Sequence, residues 1–106
     1  MKHTTCLLLV SAALTVVGAT AAAKPAAHYT GYRLASAAHV TIDEARRIAL
    51  KAHSGVVTDQ ELEKEAGGSG LRYSFDIKAG GKTYEVGVDA KTGVVLENAA
   101  EGAHPD

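Results

Sequence analysis

Leu71-Arg72-Tyr73-Ser74-Phe75-Asp76-Ile77-Lys78-Ala79, then Gly80-Gly81, then Lys82-Thr83-Tyr84-Glu85-Val86-Gly87-Val88-Asp89 is the stretch that decides the fold. Apolar and polar residues alternate on both sides of the glycine pair, the period of strands with one buried face. Two consecutive glycines can both take the positive φ that a tight two-residue hairpin turn demands. Such a turn pairs Ala79 with Lys82, and so Ile77 with Tyr84, Phe75 with Val86 and Tyr73 with Val88. All three pairs are apolar on one face, so turn chemistry and hydrophobic pattern agree on the register. The other face then sets Asp76 beside Glu85 and Ser74 beside Gly87.

Working outward, Lys91-Thr92-Gly93 reads as a second turn leading into a strand that begins Val94-Val95-Leu96. Upstream, Val56 to Glu65 is a strand closed by the loop Gly67-Gly68-Ser69-Gly70. Before it, Thr41-Ile42-Asp43-Glu44 forms a capping box: the Thr41 hydroxyl accepts from the Glu44 amide while the Glu44 carboxylate reaches back. Ile42, Ala45, Ile48, Ala49 and Ala52 follow at helical spacing, and Gly55 suits the stop, which predicts a helix over 42–54. The expected fold class is α+β: one N-terminal helix packed on a four-stranded antiparallel meander, α-β-β-β-β. The helix face should meet Leu62, Tyr73, Phe75, Ile77, Tyr84, Val86, Val88 and Leu96.

The flanks differ in kind. Residues 1–23 read as a secretory signal peptide: a basic start at Lys2, an apolar run from Cys6 to Val17, and a small-residue ending Ala21-Ala22-Ala23. The apolar run is too short to span a membrane, so no span is expected after cleavage, and the expected location is periplasmic or secreted. Residues 24–39 read as a flexible linker or a loosely docked arm carrying Tyr29, Tyr32 and Leu34; residues 40–98 form the domain; residues 99–106 look like a frayed tail.

Composition narrows the function. The chain has 106 residues, with 11 Lys+Arg against 12 Asp+Glu. That balance excludes a nucleic-acid binder driven by bulk charge. Its one cysteine, Cys6, lies in the signal segment, so neither a disulfide scaffold nor a thiolate metal site is available to the exported part. The zinc-peptidase sequence H-E-x-x-H is absent, and the histidines have no metal-binding spacing. His53, in the last helical turn, suits the negative end of the helix dipole instead. Gly81-Lys82-Thr83 ends like a phosphate-binding loop, but it joins two strands rather than a strand and a helix. No catalytic group has an activating neighbour, so no enzyme, cofactor or metal is expected.

Residues Val40 to Leu50, the acidic strand Glu61 to Glu65, Tyr73 to Ile77 and Tyr84 to Leu96 with its Asp89-Ala90-Lys91-Thr92-Gly93 turn together resemble the PepSY family. These are small exported domains also found in the propeptides of thermolysin-like metallopeptidases. The resemblance covers residues 40–98. It implies a non-catalytic domain that binds or regulates another exported protein, with restraint of a secreted or periplasmic peptidase a role proposed for some members.

Carboxylates offer the one constellation with binding chemistry. Asp59, Glu61, Glu63 and Glu65 share parity and so share a strand face. If Leu62 pairs with Phe75, Glu61 lies opposite Asp76, and Glu61, Asp76 and Glu85 form a row of like charges across three strands. The expected partner-binding residues are Glu61, Glu63, Asp76 and Glu85, with Ser74 and Gly87 making a shallow hollow for an approaching chain. Two alternative readings are a hard-cation module on the same acidic face and a structural domain that self-associates through its edge strands into a homo-oligomer. A solvated face balanced by Arg72, Lys78 and Lys82 competes with all three.

Overall fold

Thr41 starts the helix as its capping box requires: its hydroxyl accepts from the Glu44 amide at 3.1 Å, and its own amide donates to Glu44 Oε1 at 3.3 Å. In the computed structural model, which describes residues 28–102, helix α1 runs Ile42–Ala52. Four strands follow: β1 Val56–Lys64, β2 Leu71–Ala79, β3 Lys82–Asp89 and β4 Val95–Ala100. They form one antiparallel sheet in the order β1-β2-β3-β4, the expected meander. Residues 1–23, read above as a signal peptide, together with residues 24–27 and 103–106, lie outside the described residues.

The central hairpin has the register that the glycine pair dictates. Ala79 pairs with Lys82, Ile77 with Tyr84, Phe75 with Val86 and Tyr73 with Val88. Gly80 and Gly81 sit at φ 60° and 81°, the positive values that a tight two-residue hairpin turn demands at both positions. Phe75, Ile77, Val86 and Val88 are fully buried beneath Ile42, Ala45 and Ala49 of α1. Alanines on the helix face let it lie close to the sheet. The Tyr73 hydroxyl donates to the Val40 carbonyl at 2.7 Å, and burial, then the neighbouring Tyr29 and Glu44, push its pKa up to about 12.

Three positions expected in the core lie elsewhere: Tyr84 is only partly buried and its ring packs on His53 at 3.8 Å between centroids, and Ala52 and Leu96 are displaced for separate reasons. Ala52 is exposed, because the last helical turn overhangs the sheet; Asn98 Nδ2 donates to its carbonyl at 3.3 Å, and His53 follows as the C-cap residue. The helix thus ends at Ala52 rather than at Ser54. Leu96 is also off the inner face. The β3–β4 register shifts between Gly87 and Val88, so Gly87 pairs with Glu97 and Val88 with Val95, leaving Leu96 as the extra residue. Its side chain lies against Gly68 beside the Asp89 carboxylate. Asn98 takes the place opposite Val86, where its Oδ1 is 3.1 Å from His53 Nδ1.

Among the described residues, parts of both flanks carry backbone pairing and regular structure. Thr30 makes a parallel bridge to Glu61, with the Leu62 amide donating to the Thr30 carbonyl at 2.9 Å. A 3-10 helix covers Tyr32–Ala37, and Tyr29, Leu34 and Ala38 pack on the core. Gly31 makes this docking possible: at φ 85°, a Cβ there would collide with the Leu62 carbonyl. At the other end β4 runs through Ala99 and Ala100, and the Glu101 amide donates to the Thr83 carbonyl at 2.8 Å.

One buried carboxylate joins the loops. Asp89, 1% exposed, accepts from the Ser69 amide at 2.6 Å, the Ser69 hydroxyl at 2.8 Å and the Lys91 and Thr92 amides at 2.8 and 3.0 Å. Burial alone would raise its pKa, but these bonds from Ser69, Lys91 and Thr92 outweigh it and hold the carboxyl far below the usual range. Substituting Asp89→Asn turns an amide NH2 toward groups that are themselves donors and should cost about 3 kcal/mol in urea unfolding. Phe75→Ala should cost about 3–5 kcal/mol, most of the stability of so small a domain. A loss under about 1 kcal/mol from Phe75→Ala would contradict the core described above.

Candidate functional site

The face of the sheet turned away from α1 is built from alternate residues of all four strands. Its first rung runs Asp59, Asp76, Glu85 and Ala99; its second runs Glu61, Ser74, Gly87 and Glu97; its third runs Glu63, Arg72 and Asp89. Asp76 lies opposite Glu85, as the hairpin turn requires. Glu61, however, lies opposite Ser74 and not Asp76, because Leu62 pairs with Tyr73 rather than Phe75. The difference is two residues, so the face is unchanged while the partners move. The loop after β1 is pinned by Ser69 on Asp89 and by the Ala66 carbonyl on Arg72 Nη2 at 3.1 Å.

Asp59 therefore takes the position expected of Glu61. The row of like charges is Asp59–Asp76–Glu85, and Glu101 joins it from beyond β4. One carboxylate oxygen from each of Asp76, Glu85 and Glu101 falls within 4.8 Å of the others. Burial raises the Asp76 pKa first, and Glu101, Asp59 and Glu61 raise it further. Glu85 is raised by burial, then by Glu97, Asp76, Glu101 and Glu63. Three oxygens at this spacing suit a hard cation, or the ammonium and guanidinium groups of a basic polypeptide.

Ser74 and Gly87 do pair, but their hollow is filled from within. The Arg72 side chain lies across Gly87, its Cδ only 3.1 Å from where a Cβ would stand. Arg72 is 8% exposed and donates to Glu97 Oε1 at 3.2 Å, with Glu65 at 3.7 Å. Gly87 thus gives room to an internal arginine, and the hollow is not open to a visiting chain. The Ser74 hydroxyl donates to Glu63 Oε2 at 3.0 Å. Burial raises the Glu63 pKa, the Ser74 bond eases it, and Glu65 and Glu61 raise it again. Glu65 itself lies past the end of β1 and belongs to the Arg72 group.

Arg72, Asp59, Glu97 and Glu101 carry much of this site and were not singled out as binding residues from the sequence. Asp59 could have been found by closing the β1–β2 hairpin with Lys64 opposite Leu71. Glu101 was hidden by a stretch of alanines that gave no strand signal.

A family model described as "Peptidase propeptide and YPEB domain", PepSY, matches residues 40–98. The chain belongs to the PepSY family. No curated protein and no solved structure gives a significant match. The PepSY segment runs from just before α1 to Asn98 in β4, so it contains Asp59, Asp76 and Glu85 but not Glu101 or the docked arm. Among the described residues of this PepSY protein, no helix is long and apolar enough to cross a membrane.

The crowded carboxylates give the PepSY domain a defined pH response. Asp76, Glu85 and Glu63 are raised in the fold, so the folded chain binds more protons than the unfolded one over their titration range, and stability should rise as pH falls from neutral toward about pH 4. Asp89 is lowered, so its contribution is complete above about pH 4 and is lost as pH falls further. Urea midpoints against pH should therefore peak on the acid side of neutrality. Asp76→Asn with Glu85→Gln should flatten the limb between the peak and neutral pH; an unchanged limb would show that the acidic row is fully screened.

Proposed function

We propose that this chain is a non-catalytic exported domain that binds and regulates another exported protein through the acidic outer face of its sheet. The observation that carries this reading is the Asp59–Asp76–Glu85 row with Glu101 beside it. Like charges directly opposite one another on a sheet destabilise it, and a basic surface that neutralises them would recover that cost on binding. Arg72 in the middle of this face is already engaged by Glu97 and Glu65, and Lys78, two residues from Asp76 on the same face, makes no ion pair among the described residues. Membership of a family described by peptidase propeptides makes a secreted or periplasmic peptidase the partner class to test first. The signal segment at residues 1–23 supports export.

Hard-cation binding is a second reading, favoured by the convergence of Asp76, Glu85 and Glu101. Calcium should then raise the unfolding temperature of the protein, and Glu85→Gln should abolish the rise.

The regulatory reading is tested by affinity capture from envelope and secreted extracts of the native source. A variant carrying Glu61→Lys, Asp76→Lys and Glu85→Lys, shown by circular dichroism to be folded, serves as the comparison. A stoichiometric partner retained by the parent and lost by the variant is the expected result. Capture of equal amounts by both forms would remove the acidic face from the reading.

A further inference from the structure

On the helix side of the sheet, away from the acidic face, a cleft of about 360 Å³ opens between the docked arm and the start of α1. Ala35, Ala38, Val40 and Ile42 give it apolar walls, and the phenols of Tyr29 and Tyr73 and the half-exposed Asp43 complete it. All of these residues are described, and both sides of the cleft are fixed to the sheet. Thr30 holds the arm at Glu61, and the His39 and Val40 amides donate to the Ala90 carbonyl at 2.9 and 3.0 Å. A space of this size is small for a polypeptide and sufficient for a molecule of one ring and a short chain.

Negative charge dominates the polar end of this cleft. Burial raises the Tyr29 pKa, against a lowering by Tyr73, and the Asp43 carboxylate raises it further. Tyr73 is pushed up to about 12 by burial, by Tyr29 and by Glu44. Both phenols therefore stay neutral, and each feels a carboxylate of the first helical turn. The start of a helix carries roughly half a positive charge, which two carboxylates outweigh. Part of that positive end is already used, since the capping box ties the Thr41 and Glu44 amides to side chains of the same turn. Arg46 lies 3.7 Å from Asp43 but gives its Nε and Nη2 to Gln60 Oε1 at 3.2 and 3.1 Å. His39 also lines the cleft, and an imidazole accepts as readily as it donates.

We propose that this cleft binds a small apolar primary amine, with its hydrocarbon body between the 3-10 helix and α1 and its ammonium at the Asp43 carboxylate. The proposal goes beyond the acidic-face reading and is independent of it, because the two sites lie on opposite sides of the sheet. Burial of the hydrocarbon against Ala35, Ala38 and Ile42 supplies the affinity. An ammonium donating to a carboxylate supplies the preference for an amine. A carboxylic acid of the same shape would meet Asp43 as a like charge.

The test titrates 15N-labelled protein at neutral pH with phenethylamine, phenethyl alcohol and hydrocinnamate, which share a ring and a short chain and differ in charge. Amide shifts report both place and affinity. The amine should shift amides within Ala38–Asp43 and bind at least roughly fivefold more tightly than the alcohol or the acid. Asp43→Asn, shown by circular dichroism to be folded, should remove that preference and leave binding of the alcohol unchanged. Ala35→Leu, at an exposed position on the cleft wall, should weaken binding of all three. No shift with any probe in the millimolar range, equal binding of all three, or tighter binding of the acid would overturn the assignment. So would unchanged binding to Ala35→Leu, or amine-induced shifts confined to Asp76 and Glu85. Capture of a protein through the acidic face is read out separately and is untouched by any of these results.

Discussion

A single buried carboxylate, that of Asp89, sets the geometry on which the rest of the sheet depends. Its oxygens take donors from Ser69 in the loop after β1 and from Lys91 and Thr92 in the turn after β3. The adjoining backbone continues the junction: Ala90 accepts from His39 and Val40 ahead of the helix and donates to Leu71 at the start of β2. Helix entry, both loops and the end of β3 therefore meet within two residues. Charged acceptors bonded to several backbone amides are among the stronger polar interactions in a protein, and this one is shielded from solvent.

That junction has consequences for the outer face. Ser69 is tied to Asp89, and the loop after β1 closes with Lys64 opposite Leu71, which puts Leu62 opposite Tyr73 rather than Phe75. Asp59 then comes opposite Asp76, and Glu61 comes opposite Ser74. Arg72 lies across Gly87 and neutralises the middle of the face through Glu97 and Glu65. Negative charge is left concentrated at the Asp76 end. The two ends of this face differ: around Asp89 and Arg72 the charged groups are tied to internal partners, while Asp76, Glu85 and Glu101 crowd together as like charges.

Legibility followed the range of the interactions. The Gly80-Gly81 turn, the pairing of Phe75 with Val86 and the Thr41–Glu44 capping box could be read from residues because each depends on neighbours a few positions apart. The bulge that turns Leu96 off the inner face, and the Asn98 bond that caps the overhanging Ala52 carbonyl, depend on strands meeting across the sheet. Docking of the arm was visible only in part. Tyr29 and Leu34 announced apolar contacts, but the bridge from Thr30 to Glu61 required Gly31 to lie against Leu62.

Residue pattern alone determined the fold class, the central register, the single buried face and the accumulation of carboxylates on the opposite face. Each follows from a period of two or 3.6 residues, or from a turn that permits one local geometry. Tertiary structure alone decided which carboxylates become neighbours, that Gly87 houses Arg72, and that Thr30 docks beside Glu61. Those outcomes turn on loop length and on side chains far apart in the chain, and a shift of two residues preserves every local signal while exchanging every partner across the strand.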